Sequence, residues 1–150
     1  MRKVILLFVL AAMLISLIAV NGFAAEKEMT VTYFEDGSYI VDTIEVSLAR
    51  ASGSTSGSKT RSYYDNDGVL NWKAVLSGSF TYNDSGATCT SSSVSVTVYD
   101  SSWYTISKSS SKSGNTASAS VTMDRKVLGV TVEQKAVSIS LSCDKNGNLS

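Results

Sequence analysis

Few side chains in this sequence have types and spacing that could do chemistry. Ser56 and Lys59 stand three apart, as do Ser109 and Lys112, the Ser-x-x-Lys spacing with which penicillin-recognising enzymes place a nucleophilic serine beside a lysine. The companion motifs of that chemistry are missing, and a chain so rich in serine produces the spacing by chance. Histidine is absent, which removes Ser-His and Cys-His nucleophile pairs and the commonest zinc ligand. Asp65-Asn66-Asp67-Gly68 and Asp144-Lys145-Asn146-Gly147-Asn148 place side-chain oxygens at alternate positions beside a glycine, as calcium loops do. Neither run continues to the glutamate that closes such a loop, so the first reads as a hairpin turn and the second as a polar C-terminus, with turn chemistry preferred to calcium for both. No catalytic residue, cofactor or metal is expected, and the chain reads as a non-enzyme.

Cysteines and aromatic residues remain. An even cysteine count in an exported chain predicts one Cys89–Cys143 disulfide. It would close a loop of about 55 residues and add roughly 4 kcal/mol by the chain-entropy relation; two buried thiols are the alternative. Tyr63, Tyr64, Trp72, Tyr82, Tyr99, Trp103 and Tyr104 could fill a core or stack on sugar rings. Trp72 shares a strand face with Leu70, Ala74 and Leu76, which assigns it to the core. The core is the first reading for Trp103 as well, but it shares its face with the polar Thr105 and Ser107, which makes it the better ligand candidate of the two. Tyr63 and Tyr64, adjacent on a strand, point to opposite faces. Trp103, Tyr63 and Tyr64 are therefore the candidate ligand contacts.

The elements that position these residues read as strands. Residues 29–34 and 39–48 are rich in β-branched and aromatic side chains, with the tight-turn signal Asp36-Gly37 between them. Ile40, Ile44, Val46 and Leu48 share a face on which Asp42 intrudes. Residues 51–58, all small, read as a flexible loop. A second hairpin turns at residues 65–68, and Gly78 is a candidate bulge. Another turn at 83–86 leads to Val94, Val96 and Val98, alternating with Ser93, Ser95 and Thr97, the pattern of a half-buried antiparallel strand. Cys89 has the opposite parity unless a bulge intervenes among Ser91 to Ser93. Further strands follow at 103–109, 116–123 and in a last segment ending in Val137, Ile139, Leu141 and Cys143. Seven to nine strands without a convincing helix predict an all-β fold, an antiparallel β-sandwich of immunoglobulin-like architecture. The Cys89…Trp103…Cys143 spacing agrees with that architecture, although Leu141 stands where a tyrosine corner would be.

The N-terminus carries an address. Arg2 and Lys3 precede seventeen uncharged residues, Val4 to Val20, and Gly22 and Ala24 are the small residues before a cut between Ala24 and Ala25. This is the layout of a cleaved secretory signal over residues 1–24; an uncleaved anchor is the alternative. The expected product is one secreted, extracellular domain, residues 25–150, with no membrane span. Without Arg2 and Lys3, the 13 basic residues fall to 11 against 13 acidic ones, which argues against nucleic acid as a partner. Serine and threonine number 27 and 13 in that product. A disordered stalk of such composition would carry proline, and there is none.

Several stretches resemble an uncharacterised family of small secreted proteins from Gram-positive, clostridia-like bacteria. They are Thr32-Tyr33-Phe34-Glu35-Asp36-Gly37-Ser38-Tyr39, Gly78-Ser79-Phe80-Thr81-Tyr82-Asn83 and Ala87-Thr88-Cys89-Thr90. Tyr99-Asp100-Ser101-Ser102-Trp103, Lys112-Ser113-Gly114-Asn115-Thr116-Ala117 and residues 143–150 complete them. The resemblance implies export and compactness and brings no activity. The expected function is binding or cell-envelope association, with an envelope glycan or another surface protein as partner. The alternatives are a secreted toxin or bacteriocin acting on membranes, from the Ser/Thr–Val alternation of 93–98 and 116–122, and a glycan-binding module.

Overall fold

The computed structural model of the protein describes residues 27–47 and 53–150. The expected signal peptide, with its Ala24–Ala25 bond, lies outside the described residues. Eight strands follow one another: β1 (Lys27–Tyr33), β2 (Tyr39–Val46), β3 (Ser54–Tyr64), β4 (Leu70–Asn83), β5 (Gly86–Val98), β6 (Trp103–Ser113), β7 (Thr116–Val127) and β8 (Val130–Ser142). β1 to β5 form one sheet in sequence order and β6 to β8 a second, all pairs antiparallel. The chain is thus the all-β sandwich its alternating pattern predicts. Each sheet is a plain meander, without the Greek-key return of immunoglobulin domains.

The chain changes sheets once, between β5 and β6, and that step is pinned by backbone bonds. Tyr99 and Asp100 donate their N–H groups to the Asn71 carbonyl at 2.8 and 3.1 Å, and Lys126 donates to the Ser102 carbonyl at 2.8 Å. Turning the chain here lays the second sheet over the first. Trp72, Ala74, Leu76 and Phe80 of β4 then meet Ala117, Val121 and Met123 of β7 and Leu141 of β8 in a core closed to water. Large faces small across the layers: a Cβ on Gly78 would stand 2.9 Å from the Phe80 ring and 3.2 Å from the Ala117 methyl. Gly78 is therefore a packing glycine and not the bulge that the sequence suggested.

The bulge lies on β5 instead. Ser79 pairs with Ser91 and Phe80 with Cys89, which leaves Thr90 as the extra residue. One inserted residue reverses side-chain parity, so Cys89 turns inward although Val94 and Val96 do too. The expected flexible loop at 51–58 also needs correcting. Residues 54–58 open β3: all five pair with β4, and Gly57 and Ser58 pair with β2 as well. Their composition carries no strand signal, because the backbone ladders of two flanking strands impose the conformation. Smallness serves a purpose here: a Cβ on Gly57 would lie 2.5 Å from Leu149 Cδ1 and 2.6 Å from the Glu45 carbonyl oxygen.

Asp42, the polar intruder on the inner face of β2, is matched by its cross-strand partner Arg61. The guanidinium donates to both carboxylate oxygens, Nε at 2.7 Å and Nη2 at 2.5 Å, and Nη1 donates to the Ser138 carbonyl of β8 at 2.7 Å. The pair sits between the buried Ile40 and Ile44 and opposite the buried Ala74, and its bond to β8 joins the two sheets through a charge-assisted contact.

The expected disulfide is not formed: Cys89 and Cys143 are both buried and are not bonded to each other. The Cys89 thiol donates to the Ser91 carbonyl and the Cys143 thiol to the Asp144 carbonyl, each at 3.3 Å. Burial also pushes the Cys89 thiol up from its ordinary value, which depletes the thiolate that disulfide chemistry needs. The cysteines flank the β6–β7 turn, where their N–H groups donate to the Gly114 and Asn115 carbonyls. Trp103 stands at the other end of β6 and packs away from them.

Candidate functional site

Trp103 and Tyr63, two of the expected ligand contacts, belong to the core. They are 4 % and 3 % exposed, their rings meet edge to face at 5.3 Å, and each packs on Trp72, at 6.2 and 5.3 Å. The expected polar row beyond Trp103 is not a single face: Thr105 pairs with Met123 and Ser107 with Thr122, so Ile106 is a bulge that turns Ser107 to the other side. The rest of β6 is exposed and reaches over the edge of β5. Ser110 Oγ donates to the Ser92 carbonyl at 3.3 Å and Lys112 Nζ to the Thr90 carbonyl at 2.7 Å. Trp103 begins the strand, where the two sheets come together. Parts of Tyr63 and Trp103 reach a cleft of about 260 Å³ whose rim includes Asp65, Asp67, Asp100, Arg125 and Glu133.

Much of the charge around this end is already paired. Lys135 Nζ lies 3.1 Å from Glu133 Oε1 and 3.8 Å from Asp36 Oδ2, and 4.7 Å from the Phe34 ring centre. Partial burial works against the ammonium, but the hydrogen bond to Glu133 and the nearby negative charges outweigh it and raise its pKa. The Asp36 carboxyl is held below its ordinary value, first by the Ser38 hydroxyl and N–H that donate to it and then by Lys135. For Tyr63 the dominant effect is burial, which raises the phenol. Each of the two Asp-x-Asp/Asn-Gly runs spends the carboxylate of its first aspartate on its own turn. Asp65 Oδ1 accepts from the N–H groups of Asp67 and Val69 at 3.0 and 2.9 Å, and Asp144 Oδ1 from those of Asn146 and Asn148 at 2.8 and 2.9 Å. Among the described residues no three His, Cys, Asp or Glu side chains gather as a metal site, and no helix is long and apolar enough to cross a membrane.

Tyr64, the third expected contact, points to the opposite, outer face of the five-stranded sheet. There it is directly opposite Tyr39 of β2, which is directly opposite Tyr33 of β1. The rings form a row across three strands: Tyr39 and Tyr64 stack at 4.9 Å with planes 6° apart, and Tyr33 and Tyr39 lie 5.3 Å apart at 41°. Coplanar rings side by side would not fit at such separations, so the rings overlap, leaning on one another. The row shows ring edges and hydroxyls to solvent, and Tyr33, 66 % exposed on the edge strand, is the end ring of the stack. Sequence reasoning missed Tyr33 and Tyr39. Their positions on either side of the Asp36-Gly37 turn were the available signal, because a hairpin places such residues opposite each other.

Along the same face the sheet becomes an array of hydroxyls. Ser58, Ser77 and Ser93 form one cross-strand row and Ser56, Ser79 and Ser91 the next. With Glu45 and Ser47 they line a shallow depression of about 880 Å³. Thr43, Thr60 and Ser62 span the distance back to the tyrosines. The face therefore combines aromatic rings with hydroxyls that both donate and accept. The chain matches no family model, no curated protein and no solved structure.

Proposed function

We propose that the protein is an exported, non-enzymatic binding module that holds envelope carbohydrate against the outer face of its five-stranded sheet. The tyrosine row carries this reading: three rings stand on the solvent side of adjacent strands, outside the core. A sugar presents apolar C–H patches and many hydroxyls, and this face offers the complement of both. Tyr33 is the stacking ring, Tyr39 and Tyr64 hold it upright, and the serine rows take the hydroxyls of a chain extending along the strands. Export is supported by the leader at residues 1–24 and by the resemblance to secreted Gram-positive proteins.

Retention on insoluble cell-wall polysaccharide tests the reading. Tyr33→Ala is expected to weaken retention about tenfold, the effect of removing roughly 1.4 kcal/mol of contact. Its cost in stability should stay under about 1 kcal/mol, the worth of a cross-strand pair. Retention unchanged in both Tyr33→Ala and Tyr64→Ala would remove this face from consideration. Export has its own check, because intact mass of protein from culture medium should begin at Ala25. A species that retains Met1 would refute processing at this bond.

A further inference from the structure

The β7–β8 hairpin ends in a feature that neither the core nor the carbohydrate face uses. Leu128 and Gly129 form its two-residue turn, with φ of +50° and +81°. Two positive φ values make this the turn type that favours Asn-Gly or Gly-Gly, because a side chain with a Cβ is strained there. A leucine in that position is both strained and, at 99 % exposure, without contact. Val127, Val130 and Val132 beside it are also exposed. The hairpin outruns its neighbour, since the first residue of β6 pairs with Arg125 and residues 127–131 project past it. The result is a convex apolar tip on a rigid two-stranded stalk.

Behind the tip the chemistry changes in one step. Lys126 Nζ lies 5.1 Å from the centre of the exposed Tyr104 ring, and Arg125 lies 3.5 Å from Glu133. Apolar side chains outermost, followed by a tyrosine with lysine and arginine, is the order in which side chains meet a bilayer, from acyl chains to headgroups. We infer that the β7–β8 tip inserts Leu128 and its flanking valines into a lipid bilayer, which anchors the protein peripherally without a span. Charge refines the partner. Arg125 is tied to Glu133, and Asp65, Asp67 and Asp100 rim the cleft beside Val127. The net attraction to anionic headgroups is therefore small, and the apolar tip supplies the affinity. This inference is independent of the carbohydrate reading, which concerns another face.

Vesicle flotation with the protein recovered from culture medium tests it, using phosphatidylcholine with and without phosphatidylglycerol. Wild type is expected to float with both compositions, within a few-fold of each other. Leu128→Asn puts a residue suited to positive φ into the turn, so its melting midpoint should rise by a few degrees while flotation falls about tenfold. Leu128→Trp should float and show blue-shifted emission that lipid-borne quenchers reduce. Three results overturn the inference: a folded wild type that does not float, a Leu128→Asn variant that floats as well as wild type, or indole emission of the Leu128→Trp variant that vesicles leave unchanged. So does a wild-type dimer in sedimentation that Leu128→Asn dissolves, which would give the tip to a second copy of the chain.

Discussion

Trp72→Ala is expected to destabilise the sandwich by ~3–5 kcal/mol, the range for deleting a core aromatic. The indole is wholly buried and stands between Tyr63, nearly parallel at 5.3 Å, and Trp103, edge-on at 6.2 Å. Alanine at this position leaves a cavity between the two sheets, and the Tyr63 and Trp103 rings cannot collapse into it without losing each other. Trp103→Ala should cost a similar amount, because the same cluster loses a member from the opposite sheet. The double variant should cost less than the sum, since each single change already removes the contact the two share. Urea denaturation of the three variants measures all of this. A Trp72→Ala midpoint equal to wild type would show that the cluster is not the core of the fold.

The second large effect belongs to Asp42 and Arg61. Asp42→Ala is expected to lower stability by about 2–3 kcal/mol, because it leaves a mostly covered guanidinium with one remaining bond, to the Ser138 carbonyl. Side-chain exposures of 22 % for Arg61 and 16 % for Asp42 set the pair apart from a surface ion pair, which would contribute almost nothing. Replacing both, as Asp42→Leu with Arg61→Met, should recover most of the loss, because two apolar side chains fill the volume without an orphaned charge. If the double variant is as unstable as Asp42→Ala, the bond to β8 and not the ion pair is what holds the sheets there.

Much of this architecture was legible from local chemistry. Asp36-Gly37 and Asp67-Gly68 announce their turns because few other residues tolerate the conformation that they need. Trp72, Ala74 and Leu76 announce a buried face because strand periodicity admits one reading. What could not be read depends on neighbours. Residues 54–58 become strand through pairing with β4, joined by β2 at Gly57 and Ser58, which no feature of their own composition expresses. Thr90 is the bulge because Phe80 and Cys89 must face the core together, a requirement that only the register reveals. Trp103 reads as the less secure core residue because Thr105 and Ser107 are polar, and no local signal shows that a bulge at Ile106 takes Ser107 off its face or that the rest of β6 is open to solvent. The tyrosine row was half visible: Tyr64 stood out beside Tyr63, while Tyr33 and Tyr39 needed the hairpin alignment to join it. The cysteines were found, but the direction of each thiol is set by backbone carbonyls that sequence does not display.

The sequential strand order also bears on how the chain reaches its fold. Within each sheet every strand pairs only with the strand before and after it, so each ladder forms by closing a short turn. Such closures cost little chain entropy and proceed in microseconds. The costly encounters are those between sheets, such as Arg61 with Ser138 and Tyr63 with Glu133, 77 and 70 residues apart. A chain that emerges N-terminus first, as in synthesis, can therefore zip the first five strands into a sheet before the last three have emerged. That sheet would wait with Trp72 and Leu76 bare until β6 to β8 arrive to cover them. The interval between those two events is when this protein is most open to aggregation and proteolysis, and its length is set by the arrival of the C-terminal 48 residues, Trp103 to Ser150.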